Sequence, residues 1–379
     1  MSTIKFGEIR LNDITKQHIQ DCIDTNYVTM GPKTKLFEEK FAKQMDVKYA
    51  VGCSSGTTAL TCALISLYDN GAKPGDFVIC PALSFIATAN AIRSAGFVPL
   101  PLDVCSDMNI DVKQLEVIIL FAELSRTIKN IAGIVVVSMM GKPPNMETIG
   151  ELLPDTPIIL DNCEGYGSRI GGVLTHKYAD ISVTSHYTAH ITASAEFGMV
   201  LTNVKSKADW IKSIRNHGRH PDSQYFDHIR FGINAKPTDL NACVGLGSVD
   251  SFWEIYKCRK DKWKYITDNL VKYADKAWIS NEPEGLDVAP HGVAITFKED
   301  GKIQGLQKAL DEAGIEWKRN FGSMFTDHAC FSYLNYTKGT FKVAENHGKN
   351  GLHIGSSQYW TDDDVIKIVE VISKYMETV

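Results

Sequence analysis

The sequence predicts an α/β fold, with a mainly parallel central sheet in a large domain and a smaller α+β domain at its C-terminal end. Three observations carry this. Short apolar runs of strand length alternate with helical stretches between residues 49 and 203, and alternation at this spacing builds a parallel sheet covered on both faces. The texture changes near Lys257, where two basic helical stretches lead into mixed strand and helix. Hydrophobic content of 44% and charged content of 22% are ordinary for a globular chain, and 379 residues can bury a large core without staples. The expected division is residues 1–250 for the large domain and 251–379 for the small one, with the N-terminal segment free to pack on the latter.

In chain order, residues 13–24 read as a helix capped by Asn12 or Asp13. Residues 29–33 form a turn, and Phe37, Phe41 and Met45 set a helical period over 35–45. A short strand from Tyr49 runs into Ser54-Ser55-Gly56, and a helix starts at about Thr57. Strands are expected at 77–80, 98–102, 131–138, 158–160, 181–184 and 198–203, and helices at 85–94, 112–121, 145–152 and 210–215. A polar and aromatic loop covers 216–235, and one helix spans 238 to about 256. Beyond the two basic helices come a strand at 292–297, a helix at 303–313 and a last helix at 362–376, opened by Thr361 and three aspartates.

The net charge of −5 argues against nucleic-acid and membrane-surface partners. The apolar runs are too short to span a bilayer, and residues 1–8 lack a signal-peptide apolar region, so a cytoplasmic location is expected. Nine scattered cysteines include no Cys-x-x-Cys pair, which fits reduced thiols and no zinc site; no metal is expected.

Ligands of such sheets sit at the carboxyl ends of the strands. Asp161 follows one predicted strand, and Ser185 and His190 follow another. The loop from 185 to 197 concentrates His186, Tyr187, Thr188, His190, Thr192 and Glu196, and loops on rigid scaffolds carry catalytic groups. The helix opening at Gly56-Thr57 offers bare N–H groups and hydroxyls suited to a phosphate, although a plain serine or threonine cap reads the same way.

Taken in order, these pieces resemble the DegT/DnrJ/EryC/StrS family of sugar aminotransferases, fold type I (aspartate aminotransferase-like) enzymes that use pyridoxal 5′-phosphate (PLP). The resemblance runs nearly end to end. It rests on Gly31-Pro32 with Phe37-Glu38, Ser55-Gly56-Thr57-Thr58, Pro81 with Ser84-Phe85, Asp103 with Asn109-Ile110-Asp111, and Gly141 with Pro143 and Met146. Asp161-Asn162-Cys163-Glu164, Arg215-Asn216-His217-Gly218-Arg219, His228 and Gly232-Ile233-Asn234 continue it. The family pattern places a cofactor-bearing lysine five residues after the serine matched by Ser185, and here that position is His190. One branch, the 3-dehydratases of 4-keto-6-deoxyhexoses, carries histidine there, and Lys349-Asn350-Gly351-Leu352 and Gln358 also resemble it.

The resemblance implies PLP and its aminated form, pyridoxamine 5′-phosphate (PMP), as cofactors. It implies Asp161 at the pyridine nitrogen, Phe85 over the ring, Gly56, Thr57 and Ser185 at the phosphate, and Glu164 beside the cofactor. A turn aspartate and a core phenylalanine are the rival readings of Asp161 and Phe85. Asn234 would reach the phosphate from a second subunit, which implies a homodimer with shared sites. Imidazole has no primary amine, so His190 cannot tether the cofactor, but it can act as a base near neutral pH. Loss of the C3 hydroxyl from a nucleotide-linked 4-keto sugar is then favoured over transfer of an amine to C4. L-Glutamate would regenerate PMP, with Lys318 or Arg319 pairing its carboxylate and Arg219 toward the substrate. An iron–sulfur cluster is not expected, because only Cys243, Cys258 and Cys330 follow His190 and no Cys-x-Cys occurs. His217 reads as a second acid/base or a structural contact.

The sequence departs from the family pattern elsewhere. Ala195-Glu196-Phe197-Gly198 replaces a glycine-rich turn, so Phe197 is expected to reshape the pocket. His186 stands for an aromatic residue and Lys236 for an arginine. Two rival readings stay open: an aminotransferase that recruits another lysine, such as Lys142, Lys177 or Lys236, and a non-catalytic homologue.

Overall fold

Seven strands form the central sheet of the computed structural model, which describes residues 3–125, 130–220, 223, 226–320 and 325–379. Residues 221, 222, 224 and 225 of the expected 216–235 loop lie outside the described residues. Across the sheet the order is Tyr49–Cys53, Gly198–Thr202, Ile181–Ser185, Ile158–Asp161, Ile131–Val137, Phe77–Pro81 and Val98–Leu102. Only Gly198–Thr202 runs antiparallel to its neighbours; the other pairings are parallel. Strands covered on both faces read as apolar runs with no polar alternation. Val135 and Ile159 accordingly enter one core, while Ile134, Val136 and Leu160 enter the core on the opposite face.

Several helix boundaries differ from expectation, each for a local reason. The helix expected at 35–45 is Pro32–Gln44, with proline in the first turn, where its missing N–H costs nothing. Its N-cap residue, Gly31, has no side chain, and buried Asp239 supplies the cap from a distant helix. Asp239 accepts from the N–H groups of Gly31 (2.8 Å), Lys33 (2.9 Å) and Thr34 (2.9 Å) and from the Thr34 hydroxyl (2.7 Å). The single helix expected over 238–256 is broken into Asp239–Leu246 and Phe252–Leu270. At the break a Cβ on Gly247 would lie 1.9 Å from Thr15 Oγ1, and Asn12 Nδ2 donates to the Gly247 carbonyl (2.6 Å). The second piece absorbs the start of the expected basic helices and runs on as one element.

The C-terminal sheet is antiparallel, in the order Ala277–Ile279, Gly292–Phe297, Gly351–Gly355, Trp317–Arg319. Helices Phe252–Leu270, Ile303–Ala313 and Asp362–Met376 bury Trp263, Leu306, Leu310, Ile368 and Ile372 against it. Ile4 joins this core through a parallel bridge to Ile315. Thr361 and Asp364 form the reciprocal cap read from the three aspartates. Asp103 ties the two sheets together, since it follows the strand Val98–Leu102 and accepts from the N–H groups of Val343 (3.1 Å) and Ala344 (2.8 Å) at the start of helix Lys342–Asn350. No helix among the described residues is long and apolar enough to cross a membrane.

Two predictions follow from these caps and from the buried imidazoles. Asp239→Ala orphans four donors on a partly buried helix start and should lower unfolding free energy by about 3 kcal/mol, read from urea denaturation. Burial pushes His176 and His347 each down from 6.5 to about 4. Their neutral forms are favoured in the fold, so the stability they allow is complete above pH 6.5 and is lost as pH falls toward 4. Between pH 7 and 5 the unfolding free energy should drop by roughly 2 kcal/mol per histidine, and a flat profile would contradict this.

Candidate active site

A cavity of about 650 Å³ opens at the carboxyl ends of strands Ile158–Asp161 and Ile181–Ser185. The large sheet contributes Asp161, Glu164, Ser185 and His190, and the C-terminal sheet closes over them with His291, Lys318, Arg319 and His353. Phe6, from the N-terminal segment, and Phe85 also line it.

Helix Gly56–Ile65 points its N-terminus into this cavity. Ser55 and Thr58 make a reciprocal cap, which confirms the serine/threonine cap reading and leaves the N–H groups of Gly56 and Thr57 without an intrahelical acceptor. A Cβ on Gly56 would lie 2.8 Å from Ser185 Cβ, so glycine lets the Ser185 hydroxyl come up against the helix end. Hydroxyl, N–H groups and helix dipole together make an anion cradle.

Asp161 ends its strand with its carboxylate buried. Oδ1 accepts from the Cys163 N–H and Oδ2 from the Thr88 hydroxyl, both at 3.3 Å. Burial holds its pKa up despite these bonds, and no basic side chain pairs with it among the described residues. A desolvated carboxylate in that state is a ready partner for a cationic ring nitrogen. Phe85 stands 62% exposed and offers its ring to the same space.

His190 is 9% exposed, on a loop locked from behind. The Arg259 guanidinium, 1% exposed, donates to the carbonyls of Ala189 (2.7 Å) and His190 (3.0 Å) and to Gln358 Oε1 (2.7 Å). Burial first, then the neighbouring His291, His186, Arg259 and Lys318, push the His190 imidazole well below its ordinary range, so it is a neutral base. The His291 ring lies beside it, centroids 5.1 Å apart. His291 Nε2 is 3.4 Å from Glu164 Oε1, and Glu164 Oε2 accepts from the Met140 N–H (2.8 Å). Burial raises Glu164 to about 8, and burial with Arg259 and Lys318 lowers His291 to about 3. These opposed shifts leave Glu164 carrying its acid proton and His291 a neutral imidazole near neutral pH.

Of the residues singled out from sequence, Gly56, Thr57, Phe85, Asp161, Glu164, Ser185, His190, Lys318 and Arg319 converge on this cavity. Lys318 Nζ sits 4.4 Å from the centre of the Phe6 ring, and Arg319 donates to the Gly348 carbonyl (2.7 Å). His217, Arg219 and Asn234 do not line it. Asn234 is exposed and bridges Asn216; His217, with φ of 61°, is exposed beside it; and Arg219 lies over the Phe226 ring. His291, His353 and Phe6 were missed, since each comes from a segment without a polar cluster to mark it.

Phe197 does not reshape the pocket. It is buried in the core with Phe37, below Gly52, and points away from the cavity. His186 fills the aromatic slot as an aromatic: it packs against Phe41 (4.7 Å) and Phe37 (5.2 Å) and pairs through Nδ1 with the Thr192 carbonyl (3.0 Å). Lys142 pairs with Asp107, Lys177 with Asp46 and Lys236 with Asn216, and none of the three lines the cavity. Among the described residues no group of three or more His, Cys, Asp or Glu side chains is arranged to hold a metal ion.

The family model described as the DegT/DnrJ/EryC1/StrS aminotransferase family matches residues 10–373. GDP-perosamine synthase of Caulobacter vibrioides is 26% identical over 382 residues, 97% of this chain and 96% of that protein. GDP-4-keto-6-deoxy-D-mannose 3-dehydratase of Escherichia coli O55:H7 is 25% identical over 387 residues, 95% of this chain and 97% of that one. Among solved structures, a DegT DnrJ EryC1 StrS aminotransferase from Brucella abortus superposes with a TM-score of 0.89 at 24% identity, covering 99% of each chain. A GDP-4-keto-6-deoxymannose-3-dehydratase with a trapped PLP-glutamate geminal diamine superposes with a TM-score of 0.85 at 23% identity, covering 97% of this chain and 99% of that one. The fold is thus the aminotransferase fold of these neighbours, and the chain belongs to the DegT/DnrJ/EryC1/StrS aminotransferase family.

Proposed function

We propose that this protein binds PLP and PMP and catalyses the C3 dehydration of a nucleotide-linked 4-keto-6-deoxyhexose, with PMP regenerated from L-glutamate. The observation that carries the reading is His190: a neutral imidazole, aimed into the cavity from the loop where the family pattern has its lysine.

The residues present fit the cofactor. The Gly56 and Thr57 N–H groups and the Ser185 hydroxyl would take the phosphate, Asp161 the pyridine nitrogen, and Phe85 one ring face. Bound there, PMP supplies a primary amine and a conjugated ring that accepts electrons. His190 receives a proton in the cavity, and its burial among cations keeps it free to do so at neutral pH. Lys318 and Arg319, at the cavity wall, suit the carboxylates of glutamate. In the homodimer that the family suggests, exposed Asn234 would serve a partner's site, with His217 and Arg219 on the same surface.

A second reading is transfer of an amine to C4. It is favoured by Lys318, a primary amine at the cavity wall, and by relatives named GDP-perosamine synthase.

Incubation of the purified protein with a nucleotide-linked 4-keto-6-deoxyhexose and L-glutamate separates the two. Dehydration predicts a 3-deoxy-4-keto sugar with ammonia and 2-oxoglutarate, and His190→Asn should lower that turnover by about 10²- to 10⁴-fold. Accumulation of a 4-amino sugar that keeps its C3 hydroxyl would overturn the proposal.

A further inference from the structure

We propose that His291 is a second catalytic residue, the proton donor to the departing C3 hydroxyl, working opposite His190 and supplied by Glu164. This rests on the dehydration reading and deepens it. Hydroxide is a poor leaving group, and a donor separate from His190 protonates it as it departs without waiting for His190 to pass on the proton it has collected.

The geometry provides one. His190 reaches the cavity from the large sheet, and His291 reaches it from the turn ahead of strand Gly292–Phe297. The two rings lie side by side, 5.1 Å between centroids and 33° between planes, so one substrate can face both. No protein hydrogen bond engages a ring nitrogen of His190 or Nδ1 of His291 among the described residues, whereas His291 Nε2 faces Glu164 Oε1 at 3.4 Å. Glu164 lies on one side, and Arg259, Lys318, His190 and His353 close the others. Burial, Arg259 and Lys318 disfavour a second proton on the imidazole, while burial disfavours leaving Glu164 bare, so Glu164 keeps its acid proton facing His291 Nε2, next to the cavity. A histidine used only for packing needs no buried acid behind it.

The proton count closes within the site. The C–H bond breaks with its proton on His190, and its electron pair enters the new double bond. The C3–O bond breaks with its pair on oxygen, and that oxygen takes the His291 proton and leaves as water. As His291 gives up a proton from Nδ1, Nε2 takes one from Glu164. The enzyme ends with one proton more on His190 and one fewer on the Glu164–His291 pair, and transfer between the adjacent rings restores the start.

A substrate whose leaving group needs no proton tests this. With the C3 hydroxyl, His291→Asn and Glu164→Gln should each lower turnover by about 10²-fold or more, the range of a lost general acid. With fluorine at C3, fluoride departs unaided, and its release by either variant should fall less than about tenfold. His190→Asn should cripple both substrates. In ¹⁵N spectra of histidine-labelled, substrate-free protein, the His291 nitrogens should keep constant shifts between pH 5 and 7, and Glu164→Gln should change their protonation pattern. Equal losses on the two substrates, or His291 spectra indifferent to Glu164→Gln, would overturn the assignment and leave His291 a structural contact. If the unsubstituted protein released neither water nor fluoride from C3, the dehydration reading itself would fail and carry this inference with it.

Discussion

The hold of Arg259 on the His190 loop is the interaction on which the site depends. A guanidinium that is 1% exposed must recover its lost hydration through hydrogen bonds of good geometry. Arg259 finds three, and two of them are the successive main-chain carbonyls of Ala189 and His190. The arginine belongs to the long helix under the C-terminal sheet, and the loop belongs to the large sheet. One desolvated cation therefore fixes the position of His190 and the closure of the two sheets around it. Gln358, the third partner, brings the segment after strand Gly351–Gly355 into the same arrangement. Carbonyl dipoles satisfy the cation without neutralising it, so its charge still acts on the imidazoles of the cavity.

The cavity is divided electrostatically. On the floor, Asp161 lies buried with no counter-charge among the described residues, and the open end of helix Gly56–Ile65 faces Ser185. On the wall, Lys318 and Arg319 stand toward solvent. Between them His190, His291 and His353 are kept uncharged by burial and by cations that surround them. A ligand with a cationic ring nitrogen, a phosphate and outlying carboxylates would match each part in turn. The same partition would suit imidazole to the proposed role of base: its ordinary pKa would leave it partly protonated near neutrality, and the site removes that fraction.

Much of the large sheet was legible because parallel strands covered on both faces write themselves as apolar runs, and because the groups that line the cavity follow strand ends. Asp161, Ser185 and His190 could be found that way, and Gly56 announced itself at a strand-to-helix junction. The wall of the site was less legible. Strand Trp317–Arg319 has only three residues, and His353 sits inside Gly351–Gly355, whose residues are all buried and show no polar alternation to mark it. His291 precedes a strand with only Ala289 and Pro290 as company. Phe6 comes from the far end of the chain. Phe197 was misread because strand register decides its direction: the residue preceding Gly198 lies on the core face, against Phe37, where sequence spacing alone suggested the pocket. Asp239 and Arg259, polar residues that a pattern assigns to the surface, are buried because distant backbone groups need them.

The central claim is that imidazole stands in place of a covalent anchor for the cofactor. Borohydride reduction of the PLP-loaded protein, followed by mass spectrometry of its peptides, tests it most directly. The account predicts that the cofactor leaves intact on denaturation and that no lysine carries a pyridoxyl group. A pyridoxyl adduct on Lys318, or on any other lysine, would contradict it.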